Sequence, residues 1–258
     1  PGEATDPVLT ALQAVDVKFA NLPTGEPIRS NITVVDPDGT TTKLNAPGTV
    51  FDAELRQKLD ELVVERSKGA DWVVLAGSLP PGLEPTYYSE LVAALRASGY
   101  EGKIAIDTSE APLIATVAGE HKPTLIKPNS EELAQLTGSD NWEELEASPE
   151  LTARTAQKLL GDGIEYVLAT LGGGGAVLVT EQGIWHAVHE PIQVRSTVGA
   201  GDSSLSGFLI AHTRGEDAPG CLVQAVAHGS AAAALPGTRM PSLEQTTPEK
   251  VTVRQLQL

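Results

Sequence analysis

Short apolar runs rich in β-branched residues alternate with helical segments along this chain, and that order constrains the fold more than any other feature. The helical segments carry apolar residues at helical spacing, as Leu55, Leu59 and Leu62 illustrate. Such alternation predicts an α/β fold in which helices cover both faces of a mainly parallel sheet. The predicted strands are 72–76, 103–107, 124–127, 166–171, 175–180 and 183–188, and the predicted helices lie near 55–63, 88–95, 110–118, 130–137, 150–160, 205–212 and 219–235.

Three further expectations concern the ends of this pattern. Residues 28–46 are predicted to form a β-hairpin with its turn at 36–39, and the run 72–76 is predicted to be a buried strand. The chain is expected to end in helix. Four suggestive loops follow predicted strands, and ligands gather at the carboxyl ends of parallel strands, so one shared site is expected there. These loops are 77–82, 107–109, 127–132 and 172–175.

Composition limits the class of protein. The chain has 258 residues, enough for one sizeable α/β domain, and no run of 18 apolar residues that could span a membrane. A formal net charge of −16 argues against a nucleic-acid or anionic-membrane surface, because both partners require basic patches. The single cysteine, Cys221, excludes an intrachain disulfide and favours a reduced, cytoplasmic setting.

The strongest local signal is the segment 195–204, where a β run ends, a Gly-Ala-Gly turn follows and a helix begins. The first N–H groups of that helix and its dipole would form an anion hole from Gly199, Ala200 and Gly201. Asp202 at its edge can accept the proton of an attacking hydroxyl. Alternatively, Asp202 merely caps the helix.

The segment 127–132 is the second signal. Asn129 and Glu132 have the spacing of a helix capping box, and the same two residues could organise a hydrated Mg²⁺ near nucleotide phosphates. Lys127 could reach phosphate or remain solvated. Spacing alone does not choose between these alternatives.

Two weaker signals complete the candidate site. Thr170, Leu171 and the four glycines after them permit close contact with a nucleotide, or form a flexible hairpin turn. Arg29, Asn31 and Lys43 suit a sugar phosphate, although two exposed charges on a hairpin are the simpler interpretation from these residues alone. The four glycines are Gly172, Gly173, Gly174 and Gly175.

Taken in order, these segments resemble the PfkB (ribokinase-like) carbohydrate kinases over nearly the whole chain. The matching stretches are 77–82, 127–132, 170–172 and 197–202. The resemblance implies a three-layer αβα sandwich with a small β lid at 28–46, and ATP and Mg²⁺ as cofactors. It implies Asp202 as catalytic base, the 199–201 turn as anion hole, and an ATP site lined by 170–175 and Gly201. Asn129 and Glu132 would organise Mg²⁺ and the phosphates, and Arg29, Asn31, Lys43 and Ser78 would face the sugar phosphate.

Within the family, segments 29–33, 42–45 and 235–238 look most like 1-phosphofructokinases. The resemblance therefore implies conversion of fructose 1-phosphate to fructose 1,6-bisphosphate, and a homodimer formed through the lid. Tagatose-6-phosphate kinase and 6-phosphofructokinase are alternatives within the family, and a non-catalytic sugar-phosphate or nucleotide sensor is the alternative of another class. Family members begin with a strand carrying a sugar-binding Asp and a Gly-Gly-Lys-Gly segment. Neither is present, so a kinase domain over 1–258 that is incomplete at its N-terminus is expected.

Overall fold

The computed structural model describes residues 6–35, 41–139 and 141–258. Its elements follow the predicted alternation of strands and helices. The helices are α1 (Pro7–Ala14), α2 (Ala53–Ser67), α3 (Tyr87–Ala97), α4 (Glu110–Ala118), α5 (Ser130–Thr137), α6 (Trp142–Ala147), α7 (Pro149–Gln157), α8 (Ala200–Thr213) and α9 (Ala218–Ala233). The strands are β1 (Asn31–Val35), β2 (Thr41–Asn45), β3 (Trp72–Ala76), β4 (Lys103–Asp107), β5 (Leu125–Ile126), β6 (Tyr166–Thr170), β7 (Ala176–Thr180), β8 (Gly183–His189) and β9 (Val251–Gln255).

A seven-stranded sheet forms the centre, in the order β3-β4-β5-β6-β7-β8-β9. Strands β3 to β6 are parallel, because a helical crossover separates each from the next. Strands β6 to β9 are antiparallel, and only short turns join β6 to β7 and β7 to β8. The predicted α/β fold is thus confirmed, with a mixed sheet whose parallel half precedes its antiparallel half.

Apolar side chains leave the sheet in both directions and build two separate core clusters. On β4, Ile104 and Ile106 belong to the cluster under α3, α5 and α7, while Ala105 belongs to the one under α8 and α9. Strand β6 repeats this split, with Val167 on the first face and Leu168 on the second. Because successive side chains of a strand alternate between faces, the arrangement gives the three layers that were predicted.

Strands β1 and β2 form a separate two-stranded antiparallel sheet, as the hairpin prediction requires. The predicted turn at 36–39 lies outside the described residues. Ile32 and Leu44 are cross-strand partners, and each is 56% exposed. The described face of this hairpin therefore carries an apolar pair that does not pack into either core cluster.

Three predictions about the elements were wrong. Strand β3 is not a buried strand, since Val74 is 42% exposed; among the described strands it pairs only with β4. The chain does not end in helix, because β9 follows α9 and pairs with β8; its apolar alternation is limited to Val251 and Val253 and gave too short a signal. Strand β5 covers two residues rather than four, and helices α1 and α6 were not anticipated.

Within the described ranges, no helix combines the length and apolar character that crossing a membrane requires.

His212 closes an aromatic cluster between α8 and the sheet. The indole N–H of Trp72 donates to its Nδ1 at 3.3 Å, and its Nε2 lies 3.3 Å from the Tyr166 hydroxyl. An indole N–H can only donate, so Nδ1 must be unprotonated for this hydrogen bond to exist. Burial lowers the pKa of His212, nearby Lys103 lowers it further, and Glu165 opposes the shift. The folded state therefore favours neutral His212.

We expect acid to destabilise the fold through this group. An unfolded histidine titrates near pH ~6.5, so below that pH the unfolded chain binds a proton that folded His212 resists. The urea midpoint should fall between about pH 7.5 and about pH 5.5, and His212→Phe should reduce that fall because the ring no longer titrates. His121→Asn, at an exposed histidine, is the control and should keep the wild-type dependence. An unchanged dependence in His212→Phe would contradict this account.

Candidate active site

The loops after the parallel strands meet at one edge of the sheet. Ala76 and Asp107 are register partners at the ends of β3 and β4, and the N–H of Gly77 donates to the Asp107 carbonyl at 2.9 Å. After β5 and β6, the N–H of Thr170 donates to the Pro128 carbonyl at 2.9 Å. The structure therefore brings the four predicted loops to a common edge, where parallel α/β sheets bind ligands.

Helix α8 begins at this edge with a glycine turn. Gly199 is the N-cap residue with a φ of 78°, a left-handed conformation that suits glycine. Asp202 stands in the first helical turn, is exposed, and its carboxylate accepts no hydrogen bond from the described residues. The alternative that Asp202 merely caps the helix is therefore wrong.

The first turn of α8 leaves two backbone donors open. Ala200 was expected to contribute to the anion hole, but its N–H donates to the Thr197 carbonyl at 3.3 Å. The N–H groups of Gly201 and Asp202 have no carbonyl partner among the described residues, as the start of a helix requires. Of the three predicted anion-hole residues, Gly199 and Gly201 keep N–H groups without a carbonyl partner among the described residues, and Asp202 adds a further open donor.

Lys127 is a buried ion-pair partner rather than a solvated side chain. Its Nζ lies 3.1 Å from Oδ1 of Asp107, and the two side chains are only 7% and 15% exposed. A Cβ placed on Gly201 would lie 3.1 Å from the same Nζ, so the ammonium packs directly against the start of α8. Sequence analysis placed the 107–109 loop at the shared site but gave Asp107 itself no role.

Two further carboxylates, those of Glu132 and Asp202, act electrostatically on this ion pair. Burial raises the pKa of Asp107; Lys127 opposes that shift, and Asp202 reinforces it. Burial also raises the pKa of Glu132, whose side chain accepts from the N–H of Asn129 at 2.9 Å. The Asn129 side chain accepts in turn from the N–H of Glu132 at 2.8 Å, so the predicted capping box is present.

The donor set suits one hydrated divalent cation better than a protein-only cage. Across the described ranges, no group of three or more His, Cys, Asp or Glu side chains stands close enough to enclose a metal. The charge of Asp107 nonetheless helps to raise the pKa of Glu132, and the buried ammonium of Lys127 lies beside Asp107. Mg²⁺ keeps several waters and commonly takes one or two carboxylates, so these residues fit such an ion.

A cleft with a volume of about 1050 Å³ runs from Lys127 along the glycine turn. Its lining includes Thr170 and three of the four glycines, whereas Leu171 is fully buried in the core and cannot offer its side chain to a ligand. The turn is a short 3₁₀ segment, and Gly175 is obligatory because a Cβ there would lie 1.9 Å from the Ala187 carbonyl oxygen. Predicted site residues on the lining are Lys127, Asn129, Thr170, Gly172, Gly173, Gly175, Ala200 and Gly201.

Helix α6 forms a wall of the cleft that sequence analysis missed. Trp142 and Glu146 stand one helical turn apart and both line it, while Leu145 between them is buried. The Glu146 carboxylate faces the glycine turn, since a Cβ on Gly172 would lie 3.1 Å from its Oε1. A six-residue helix shows too little periodicity to be recognised in a sequence, so no signal marked these two residues.

The predicted sugar-phosphate residues are only partly brought together. A guanidinium nitrogen of Arg29 donates to the Ser78 hydroxyl at 2.9 Å, and both residues are exposed. Asn31 lies at the exposed start of β1, and no described contact joins it to this pair. The Lys43 side chain lies outside what the structure describes, although its backbone belongs to β2.

The comparisons with known proteins agree with this geometry. Residues 6–245 match the model of the pfkB family carbohydrate kinases. The chain is 36% identical to a 1-phosphofructokinase of Haloferax volcanii over 88% of its own length and 70% of that protein. It is 35% identical to a 1-phosphofructokinase of Rhodobacter capsulatus, covering 73% of itself and 58% of that relative.

Solved structures give the same result. Phosphofructokinase-2 from Escherichia coli, in complex with potassium, matches with a TM-score of 0.82 and 29% identity. The match covers 95% of this chain and 77% of that one. Another structure of the same enzyme is in complex with fructose-6-phosphate. Family match, identity and fold together show that this chain belongs to the pfkB family of carbohydrate kinases, a family of phosphotransferases with an alcohol group as acceptor.

Proposed function

We propose that the chain transfers the γ-phosphoryl group of ATP to fructose 1-phosphate, giving fructose 1,6-bisphosphate and ADP. The observation that carries this proposal is the exposed carboxylate of Asp202 at the first turn of α8, beside a cleft lined by Gly201 and Lys127. The sugar hydroxyl oxygen forms a bond to the γ-phosphorus while the bond between that phosphorus and the ADP oxygen breaks. Asp202 accepts the hydroxyl proton.

Charge on the transferred group is met by the start of α8. The open N–H groups of Gly201 and Asp202 and the helix dipole stabilise negative charge at this point. Lys127, held beside Gly201, adds a positive charge that is already in place before the reaction. Asp107 and Glu132 would hold a Mg²⁺ ion, which would neutralise part of the phosphate charge when bound.

We assign the sugar phosphate to the Arg29–Ser78 pair. Guanidinium and hydroxyl groups both donate to phosphate oxygens. Ser78 lies on the loop after β3, at the same edge as Asp202, and Arg29 reaches it from the segment before β1. The names of the two 1-phosphofructokinase relatives favour fructose 1-phosphate. The second candidate substrate is fructose 6-phosphate, favoured by the similarity to phosphofructokinase-2. Tagatose 6-phosphate is the third candidate. A sensor without turnover is less well supported, because it would need no base at position 202.

The assembly proposed for the active protein is a homodimer formed through the hairpin of β1 and β2. Ile32 and Leu44 present an exposed apolar pair on it, and a second copy would bury that pair. The same contact would hold the hairpin over the sugar, and a covered site discourages hydrolysis of ATP by water.

Replacing the proposed base should separate chemistry from binding. We expect Asp202→Asn to lower kcat by about 10²–10⁴ because the amide cannot accept the proton, while ATP binding is retained. Steady-state kinetics across fructose 1-phosphate, fructose 6-phosphate and tagatose 6-phosphate, with calorimetric titration of ATP, measures both quantities. The matched control is Asp217→Asn, because Asp217 caps the neighbouring α9 and asparagine caps equally well.

Two results would contradict the proposal. Unchanged turnover in Asp202→Asn would remove this carboxylate from the role of base. Absence of phosphoryl transfer by the wild-type protein to all three sugar phosphates, with ATP still bound, would favour the sensor.

Nucleotide bound in the cleft should be visible through Trp142, which is 42% exposed on its wall. We expect ADP to change the tryptophan emission of the wild-type protein, because a ligand along the glycine turn displaces water from that indole. Trp142→Phe should abolish most of the change, and Trp185→Phe should preserve it, since Trp185 packs on the core from β8. A full emission change in Trp142→Phe would place the nucleotide elsewhere.

A further inference from the structure

The loop after β3, residues 77–82, is constrained at both ends, by a close backbone contact at one end and by a left-handed glycine at the other. At its far end, the N–H of Phe51 donates to the Pro81 carbonyl at 2.7 Å. A Cβ on Gly82 would lie 2.2 Å from the Phe51 carbonyl oxygen, so only glycine allows this approach. At its near end, Gly77 has a φ of 96°, a conformation that also requires glycine. The loop therefore has little freedom to move as a whole.

One carbonyl at the near end receives two side-chain hydroxyls from different elements. The Tyr88 hydroxyl, on α3, donates to the Gly77 carbonyl at 2.9 Å, with the adjacent Ala76 carbonyl farther away at 3.2 Å. The Thr108 hydroxyl, after β4, donates to the Gly77 carbonyl at 2.8 Å. Tyr88 and Thr108 are 7% and 5% exposed, so both hydroxyls act from the interior. A carbonyl oxygen has two lone pairs, and this one is saturated by the two donors.

The peptide held in this way is the one that leads into Ser78. Because a peptide unit is planar, fixing the Gly77 carbonyl also fixes the direction of the Ser78 N–H and restricts where its side chain points. Ser78 accepts the hydrogen bond from Arg29. The position of the pair assigned to the sugar phosphate therefore depends on how the Gly77 carbonyl is held. Neither Tyr88 nor Thr108 is itself exposed to the sugar side.

The two hydroxyl contacts to the Gly77 carbonyl also connect to the residues proposed for phosphoryl transfer. Thr108 directly follows Asp107, whose backbone carbonyl accepts from the N–H of Gly77 and whose carboxylate pairs with Lys127. Lys127 in turn packs against Gly201 at the start of α8. A continuous set of short contacts thus sets the distance between Ser78 and the first turn of α8.

We propose that Tyr88 and Thr108 are positioning residues that hold the acceptor-binding loop at the distance from Asp202 that phosphoryl transfer requires. The inference rests on the proposed function, because it assigns Ser78 and Arg29 to the acceptor. Neither hydroxyl takes part in bond making. Their loss should therefore change how the acceptor is held and leave the nucleotide side intact.

The test compares Tyr88→Phe with Tyr87→Phe. Tyr87 is an equally buried neighbour whose hydroxyl donates to Asp60 at 2.7 Å, away from the loop. We expect Tyr88→Phe to lower kcat/KM for fructose 1-phosphate by about tenfold, with the KM for ATP within about twofold of wild type, because small misplacements of a reactant are costly. Tyr87→Phe should leave both values near wild type, and any shift of its melting temperature should match that of Tyr88→Phe.

A second pair keeps the proposal testable if removing the Tyr88 hydroxyl prevents folding. Thr108→Val removes the other donor and should show the same selective loss, whereas Thr108→Ser retains a hydroxyl and should recover acceptor kinetics. Thr116→Val is the matched control, since its buried hydroxyl donates to the Pro112 carbonyl within α4.

The possible outcomes separate the two claims. If the wild-type protein turns over, two results would overturn the positioning role alone. One is an equal fall in kcat/KM for fructose 1-phosphate in Tyr88→Phe and Tyr87→Phe. The other is a fall in Tyr88→Phe that is equally large for the acceptor and for ATP. Wild-type protein that binds ATP and transfers phosphate to no sugar phosphate would overturn the proposed function, and the positioning role with it.

Discussion

The ion pair between Lys127 and Asp107 is the interaction on which the site depends. Both side chains are largely buried, and a buried charge without a partner is costly, so each keeps the other in place. Through this pair the end of β4, the end of β5 and the start of α8 meet at one point. The backbone of Asp107 extends the connection to Gly77 and the loop after β3.

Phosphate binding on so acidic a chain requires local compensation. The charged residues that line the cleft are three glutamates and one lysine, and that lysine already faces a carboxylate. A nucleotide polyanion would therefore depend on backbone N–H groups, the dipole of α8 and an accompanying cation. The net charge of the chain argues against partners that need broad basic surfaces. It does not determine whether a site can bind phosphate, because such a site depends on a few oriented N–H groups.

Much of the fold and the main candidate residue were predictable from sequence, because both depend on local pattern. The pattern of apolar residues predicted β4, β6 and all described helices except α1 and α6, and the Gly-Ala-Gly turn predicted the start of α8 with Asp202 on its first turn. Asp107 and Trp142 were missed because their importance comes from neighbours distant in sequence. Strand β9 was missed because its apolar alternation covers only Val251 and Val253 before polar residues follow.

The mixed sheet divides the molecule into two parts that differ in how they are connected. Strands β3 to β5 need long helical crossovers, whereas β6, β7 and β8 are joined by tight turns, and α8 packs directly on α9. The cleft lies on the boundary, with Lys127 and Asn129 from the first part and the glycine turn and α8 from the second. A ligand that bridges this boundary would couple two units that could otherwise open separately, so occupancy would make their unfolding more cooperative.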